Sequence, residues 1–347
     1  MTSSKKVGLI IPGVTAALLN ICSCAGSPSA SRTNMPQWVS DKDEVYPVER
    51  YLSELGEGDS LNAARANAAG AIAQIFRQKV KVDSEIRTRY TEIMGSKDEL
   101  LDIFSQTNFD QKIGQEADET LTNLQYGESW IDEVGRVYTI AYLDRIETGN
   151  LYRKRIDRNN RRIADSLDMA EGQQEPLRGY AFLDSSLVYA EANRVLFEQL
   201  EIISMPIAQL TKLPYSSNEI RTARANQAMK LKIRVEVAGD PDGRITDALE
   251  NWITGRGFVS SSSGSMFLAA AVEIEQLELK NKYENLHWTL VIELTDTDGH
   301  PVAALSAENR SSGISSTAAE SRAYRDMIKL VQTDFDKKFS TYLSSFL

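Results

Sequence analysis

Residues 286–306 read LHWTLVIELTDTDGHPVAALS. Residues 286–295 form a long apolar-rich run that predicts a strand, Asp296-Thr297-Asp298-Gly299 carries the residues of a tight turn, and 302–306 predicts the returning strand. Another long strand is predicted just upstream, at 267–279, with a Ser-rich loop at 260–265 before it. Consecutive strands joined by short turns run antiparallel, and helices flank them. A helix carrying Ile245, Leu249, Trp252 and Ile253 precedes the strands, and one faced by Ala319, Ala323, Met327, Val331, Phe335, Phe339 and Leu343 follows them. This second helix is predicted to open with the capping box Thr317-Ala318-Ala319-Glu320. A further strand, alternating Leu231, Ile233, Val235 and Val237, opens the unit and turns at 239–243. Antiparallel strands with flanking helices predict an α+β unit over residues 222–347 rather than a parallel βαβ fold.

Working towards the amino terminus, two amphipathic helices are predicted. One is marked by Leu151, Ile156, Asn159, Ile163, Leu167 and Ala170, the other by Leu177, Tyr180, Leu183, Leu187, Val195 and Leu200. The short Gly/Pro-bearing loop at 172–176 makes them an antiparallel helical hairpin over 148–213. Residues 37–147 predict a second α+β unit. Asp59-Ser60 is a good N-cap for an alanine-rich helix through Leu61, Ala64, Ala68, Ile72 and Ile75, whose small apolar face implies close packing on a sheet. Gly56-Glu57-Gly58 is read as a turn before it. Strict alternation at 80–90 predicts a half-buried strand, followed by a short helix at 96–104. A hairpin is predicted from strands at 119–126 and 136–142, joined through Asp132-Glu133-Val134-Gly135. The predicted fold is thus α+β: two antiparallel-sheet α+β domains linked by a long antiparallel helical hairpin.

The first 36 residues predict placement. Lys5-Lys6 and the apolar run 7–19, broken by Pro12, have the length and flanks of a secretory signal and are too short to span a bilayer. A bacterial lipobox takes an aliphatic residue three before the cysteine and a small one just before it. Cys24 meets this with Ile21 and Ser23, whereas Cys22 would put Ile21 at the cleavage position. Residues 1–23 are therefore predicted to be a lipoprotein signal peptide, with Cys24 lipidated at the mature amino terminus. A thiol can become a thioether bearing two acyl chains, and the amine freed by cleavage can take a third. At about 0.8 kcal/mol per buried methylene, more than one chain anchors durably. The chain's two cysteines are Cys22 and Cys24, so a mature protein acylated at Cys24 has no thiol left for a disulfide, a nucleophile or a metal. Residues 24–36 are small, polar and Pro-bearing, and read as a flexible tether. Ala25, where an inner-membrane-retaining Asp would stand, makes the outer membrane the expected destination.

Loss of Lys5 and Lys6 with the leader takes the formal charge from −10 to −12, with 49 acidic against 37 basic residues. That balance argues against nucleic acid, whose binding needs a basic face. The two histidines, His287 and His300, flank a predicted hairpin and could pair only if the strand ends approached each other; an exposed strand-edge His and a turn His is the plainer reading. The stretches 240–243 and 296–300 begin like calcium loops, but Pro301 stands where the loop glycine should be, so both are read as hairpin turns. Arg153, Lys154, Arg155, Arg158, Arg161 and Arg162 give the first hairpin helix a positive face, either solvated or docking an acidic partner. No catalytic, metal or cofactor constellation is assigned.

The segments Pro36-Gln37-Trp38-Val39, Tyr46-Pro47, Tyr51-Leu52, Gly56-Glu57-Gly58, the Ala-rich helix 61–76 and the strand 137–145 together resemble the bacterial Lpp-twenty-type lipoprotein domain, which is similar also to the amino-terminal domain of the flagellar T-ring protein. The resemblance covers about 36–146 and implies a small α+β domain in an envelope lipoprotein, with no catalytic residues to carry over. The resulting expectation is a non-enzymatic, lipid-anchored adapter or assembly factor that contacts an envelope protein or peptidoglycan. The alternatives are a small-molecule or glycan binding module in a cleft between the two α+β domains, and an enzyme using only carboxylates and hydroxyls.

Overall fold

The computed structural model describes residues 35–81, 88–90, 93, 122–279 and 282–347. The predicted signal peptide, Cys24, most of the tether and the short helix at 96–104 lie outside the described residues. Two short helices, α1 (Gln37–Ser40) and α2 (Lys42–Val45), lead into β1 (Tyr51–Gly58) and α3 (Leu61–Lys79). β2 (Gln125–Ile131) and β3 (Val137–Asp144) form the predicted hairpin, its first strand starting later than the sequence suggested. They join β1 in an antiparallel sheet of order β1-β3-β2.

Helix α3 packs where its alanines predicted. Ser60 caps it by accepting a hydrogen bond from the Ala63 N–H, and Ala64, Ala68, Ala69 and Ala73 are buried. The glycines at 56 and 58 correct the sequence reading: they lie inside β1, paired with Thr139 and Val137, rather than in a turn. A Cβ on Gly56 would stand 2.1 Å from the Ala64 carbonyl oxygen and 2.4 Å from the Ala68 nitrogen. Glycine here lets helix and strand backbones touch, which propensity alone reads as a break.

The strand predicted at 80–90 is not formed in its described part. Residues 88–90 are helical, and 82–87 lie outside the described residues. Neighbouring Arg89 and Tyr90 are both buried, which the period-two burial of a half-buried strand forbids. Tyr90 packs edge-on against Tyr189 and Arg89 pairs with Asp184, so tertiary capture by the helical hairpin overrides the local alternation.

That hairpin is α4 (Arg145–Glu171) and α5 (Pro176–Ile203). Asn159 Nδ2 donates to Asn193 Oδ1 between them, while Asn193 Nδ2 donates to Asn160 Oδ1 and to the Ile156 carbonyl. Buried amides bonded across the pair in this way fix the register of two helices that apolar packing alone would let slide. Helix α5 serves two cores. Leu177, Tyr180 and Ala181 belong to the carboxy-terminal core, and the residues from Leu187 to Ile203 to the amino-terminal one. Short α6 (Met205–Leu210) and α7 (Ser217–Ala228) follow; α7 was not foreseen from sequence.

The carboxy-terminal sheet has order β5-β4-β6-β7-β8, with β4 (Lys232–Ala238), β5 (Val259–Ser260), β6 (Met266–Leu277), β7 (Glu284–Thr295) and β8 (Pro301–Gly313). β6, β7 and β8 form the antiparallel meander expected of an α+β unit. β4, however, pairs parallel with β6, because α8 (Arg244–Gly255) carries the chain back across the sheet before β6 begins.

The last helix opens earlier than predicted. Ser315, not Thr317, is its N-cap and accepts from the Ala318 N–H at 3.2 Å, since β8 runs on to Gly313 and leaves no room for a loop. Ser315→Ala should cost about 1 kcal/mol, read as a shift in urea midpoint at unchanged m. The predicted stripe from Ala319 to Leu343 is buried throughout, with every member four residues from the next. Four residues turn an α-helix by about 400°, so such a stripe drifts roughly 40° per step. The chain takes up part of that drift with a π-helical turn, Val331–Phe335, between α9 (Ser316–Leu330) and α10 (Asp336–Ser344).

The two cores meet at a buried polar junction. Asp184 of α5 accepts from Arg89 Nη2 at 2.6 Å and from Arg224 Nε of α7 at 2.8 Å, and Arg224 Nη2 donates to Tyr180 Oη. Arg89 also donates to the Ser340 carbonyl of α10. Beside this, Arg256 donates to Asp336 and to Ser340 Oγ, and Trp252 Nε1 donates to the same Asp336 oxygen. Burial pushes the Tyr180 hydroxyl up to about 12. Burial works against the Asp184 carboxylate too, but Arg89, Arg224 and Arg256 outweigh it and hold that carboxyl below its ordinary value.

Candidate functional site

The chemistry weighed from sequence is dispersed by the fold. His287 pairs across the sheet with Arg310, while His300 lies in the turn after Thr295. The eight residue steps from His287 to Thr295 span about 26 Å of strand, so the two imidazoles cannot act as a pair. His287 also lies on the interior strand β7, with Glu308 3.9 Å away, rather than at a sheet edge.

Asp296, Asp298 and His300 do bring ligand atoms within 4.8 Å of one another. Their geometry is that of a turn, however, in which Asp296 Oδ1 accepts from the backbone N–H groups of Asp298 and His300. Burial raises the Asp296 carboxyl, but these donors and the His300 ring outweigh it and hold it low. Asp240 likewise accepts from the Ile245 and Thr246 N–H groups and the Thr246 hydroxyl. That loop leads from β4 into α8, which corrects its reading as a hairpin turn. The basic face of α4 is partly engaged: Arg155 donates to Thr122 Oγ1, and Arg162 lies over the Tyr189 ring.

The surface that does gather ring and polar side chains is the face of the amino-terminal sheet turned away from α3. The β1–β3 and β2–β3 registers put Tyr51, Gln125, Trp130, Tyr138 and Tyr142 on it. Tyr46 arrives from the end of α2 and completes a three-ring cluster. Tyr46, Tyr51 and Tyr142 have centroids 5.0–5.5 Å apart, two of the three pairs edge-on. Tyr46 fits because β2 bulges between Tyr126 and Ser129 and carries glycine there: a Cβ on Gly127 would meet the Tyr46 hydroxyl at 2.2 Å. Along the same strand, Trp130 and Tyr138 form a second ring pair at 5.4 Å.

All five rings are half-buried, each with an accessible edge. Polar groups rim them. Arg50 lies 5.0 Å over Tyr51, Tyr142 donates to Gln125, Tyr138 donates to Asp132, and Arg136 pairs with Glu57. Burial and the neighbouring Tyr142 ring push the Tyr46 hydroxyl up, and burial with the Asp132 carboxylate does the same for Tyr138, so both remain neutral donors. At the hairpin tip Ile131 and Val134 are exposed, Val134 at 86%. Sequence reading missed this face. Its signal was present in Tyr138 and Tyr142, which share a face when four apart in a strand, but only the position of α3 shows which face is turned away from that helix.

This aromatic sheet, with α3 on its back and the Trp38 helix before it, is the unit spanning Trp38 to Asp144. Residues 36–144 match the LPP20 lipoprotein family. The match ends where α4 begins, so the helical hairpin and the carboxy-terminal sheet extend beyond the LPP20 segment. A segment of this family marks a bacterial lipoprotein and implies lipid-anchored association with a membrane. Among the described residues, no helix is long and apolar enough to cross one. No curated protein matches the chain. Nine solved chains do. One is the secreted protein HP1454 from the human pathogen Helicobacter pylori, at 13% identity and a TM-score of 0.37, covering 86% of this chain and 98% of that one. Another is a minor lipoprotein from Acinetobacter baumannii, at 16% identity and a TM-score of 0.23, covering 33% of this chain and 91% of that one.

Proposed function

We propose that this chain is a non-enzymatic adapter of the bacterial envelope, anchored to the outer membrane by lipid on Cys24, whose LPP20-type domain presents the aromatic sheet face to a protein partner. The observation that carries the reading is the composition of that face. Tyr, Trp and Arg dominate the energetic centres of protein interfaces because they bury much area at small entropic cost and keep a polar handle. Here five such rings and Arg50 share one sheet surface with an exposed apolar tip beside it. Their edges are held by ring–ring contacts, which leaves little ordering entropy to lose on binding.

The test has two arms. Cys24→Ser should move the protein from the membrane to the soluble fraction; continued sedimentation with membranes would refute the anchor. Crosslinking from intact cells should capture a partner with the native chain. Trp130→Ala, at a half-exposed ring, should lose that partner while the melting temperature stays within a few degrees. Capture of bait alone under several crosslinkers would refute the adapter role.

A further inference from the structure

The mature chain carries about one acidic residue in every seven, yet residues 202–218 (IISMPIAQLTKLPYSSN) contain none and carry a single charge, Lys212. Among the described residues it also gathers large exposed apolar side chains: Met205 at 49%, Leu210 at 72% and Leu213 at 40%, with Pro206 and Pro214 exposed beside them. The segment is held along the first half of α4. Ile207 packs on Gly149, where a Cβ would meet its Cδ1 at 2.7 Å, and Asn160 Nδ2 donates to the Lys212 carbonyl. Gly149 to Asn160 is about 16 Å of helix. At the near end Arg145 donates to the carbonyls of Val48, Ile202 and Ile203, which draws two more exposed apolar side chains, Val48 and Ile146, to the same rim. Charged groups bound the ledge: α4 adds exposed Glu147, Lys154 and Asp157 with half-buried Arg153, and exposed Glu49 and Glu201 flank its Arg145 end.

We propose that this acid-free apolar ledge is the face that rests on the bilayer, Leu210 and Leu213 dipping among the anionic lipid headgroups. The inference rests on the Cys24 anchor. Twelve residues separate Cys24 from Pro36, a span of at most about 40 Å, and Val48 on the rim lies only twelve residues further on. The body is therefore held within a domain's width of the lipid. An acidic protein so confined is repelled by anionic headgroups wherever it presents carboxylates. Charges more than about 8 Å away are screened at physiological salt, so the local face decides. This one offers apolar area and a cation. A contiguous exposed apolar surface marks a contact site, and membrane affinity grows with buried apolar area.

The full acylated chain carrying Leu210→Cys has one free thiol, because the Cys24 sulfur is blocked. Labelled with an environment-sensitive fluorophore and reconstituted into phosphatidylethanolamine/phosphatidylglycerol vesicles with nitroxide-bearing acyl chains, it should show several-fold stronger quenching than the same label at Val291→Cys, an exposed site on β7. Equal quenching at both sites with the protein floating on vesicles would overturn the ledge and leave the anchor standing. A blue shift at position 210 without quenching would also overturn it, since a protein partner then covers the ledge. If the chain does not float, the anchor reading fails. The ledge is then tested alone by adding excess vesicles to a chain that begins at residue 24 and carries Cys24→Ser, so that Cys22 and the leader are absent, with each label. Quenching at 210 only, abolished by Lys212→Glu with Leu213→Asp, supports it; no quenching overturns it.

Discussion

Asp184→Ala should destabilise the protein by about 3–5 kcal/mol, because removing one partner of a buried ion pair strands the other's charge. Here two guanidiniums, those of Arg89 and Arg224, lose their shared carboxylate, and the side chains of Asp184 and Arg89 are both less than a tenth exposed. The loss also has a particular location. Asp184 stands on α5 between the residues that serve one core and those that serve the other, and Arg89 reaches on to the Ser340 carbonyl of α10. Denaturation of the variant should therefore split into two transitions by tryptophan fluorescence, where the parent shows one; a single transition at nearly parental midpoint would refute the account.

The pH dependence follows from the direction of the shift. Asp184 ionises in the folded protein below its unfolded value, so its stabilisation is complete above roughly pH 4, the ordinary aspartate range, and drains away as pH falls through the lower folded value. Stability measured between pH 5 and pH 2 should fall less steeply in Asp184→Ala than in the parent.

Gly56→Ala should be the most damaging small substitution in the LPP20-type domain. The added methyl would meet the Ala64 carbonyl oxygen, the Ala68 nitrogen and the Ala68 Cβ, all closer than 3 Å. Two of these are helix backbone and none can rotate away, so α3 must lift from β1. Overpacking of this kind typically costs about 1–3 kcal/mol and more where the contact is rigid; a loss near or above 3 kcal/mol is expected, with weaker amide-exchange protection along β1. Gly255→Ala is the control, because it sits exposed at the end of α8 with nothing within 4 Å. It should be neutral or slightly stabilising. Equal losses at both positions would show that the α3–β1 contact is not what glycine serves.

What was legible in advance had a local cause. The alanine stripe of α3, the hairpin turn at Asp132–Gly135, the β6–β8 meander and the stripe from Ala319 to Leu343 each follow from periodicity or turn chemistry within a few residues, and all appear in the structure. The failures shared a different cause. Residues 80–90 alternate like a strand, yet Arg89 and Tyr90 are held by Asp184 and Tyr189, about a hundred residues away. Gly56 and Gly58 look like a turn, yet serve a helix laid against their strand. β4 shows no sign of its parallel pairing, because direction in a sheet is set by the route of the connecting helix.

The sequence by itself determined the α+β class, the helical hairpin and the acidic balance, since each depends on neighbours along the chain, and a lipid on Cys24 stands as its expectation. Only the tertiary structure decided that α5 is shared by two cores, that five rings lie together on the face of one sheet turned away from α3, and that the acid-free run 202–218 is an exposed ledge. Which face of an element another element covers is a matter of long-range packing, and a period of 2 or 3.6 residues records that a face exists without recording what lies against it.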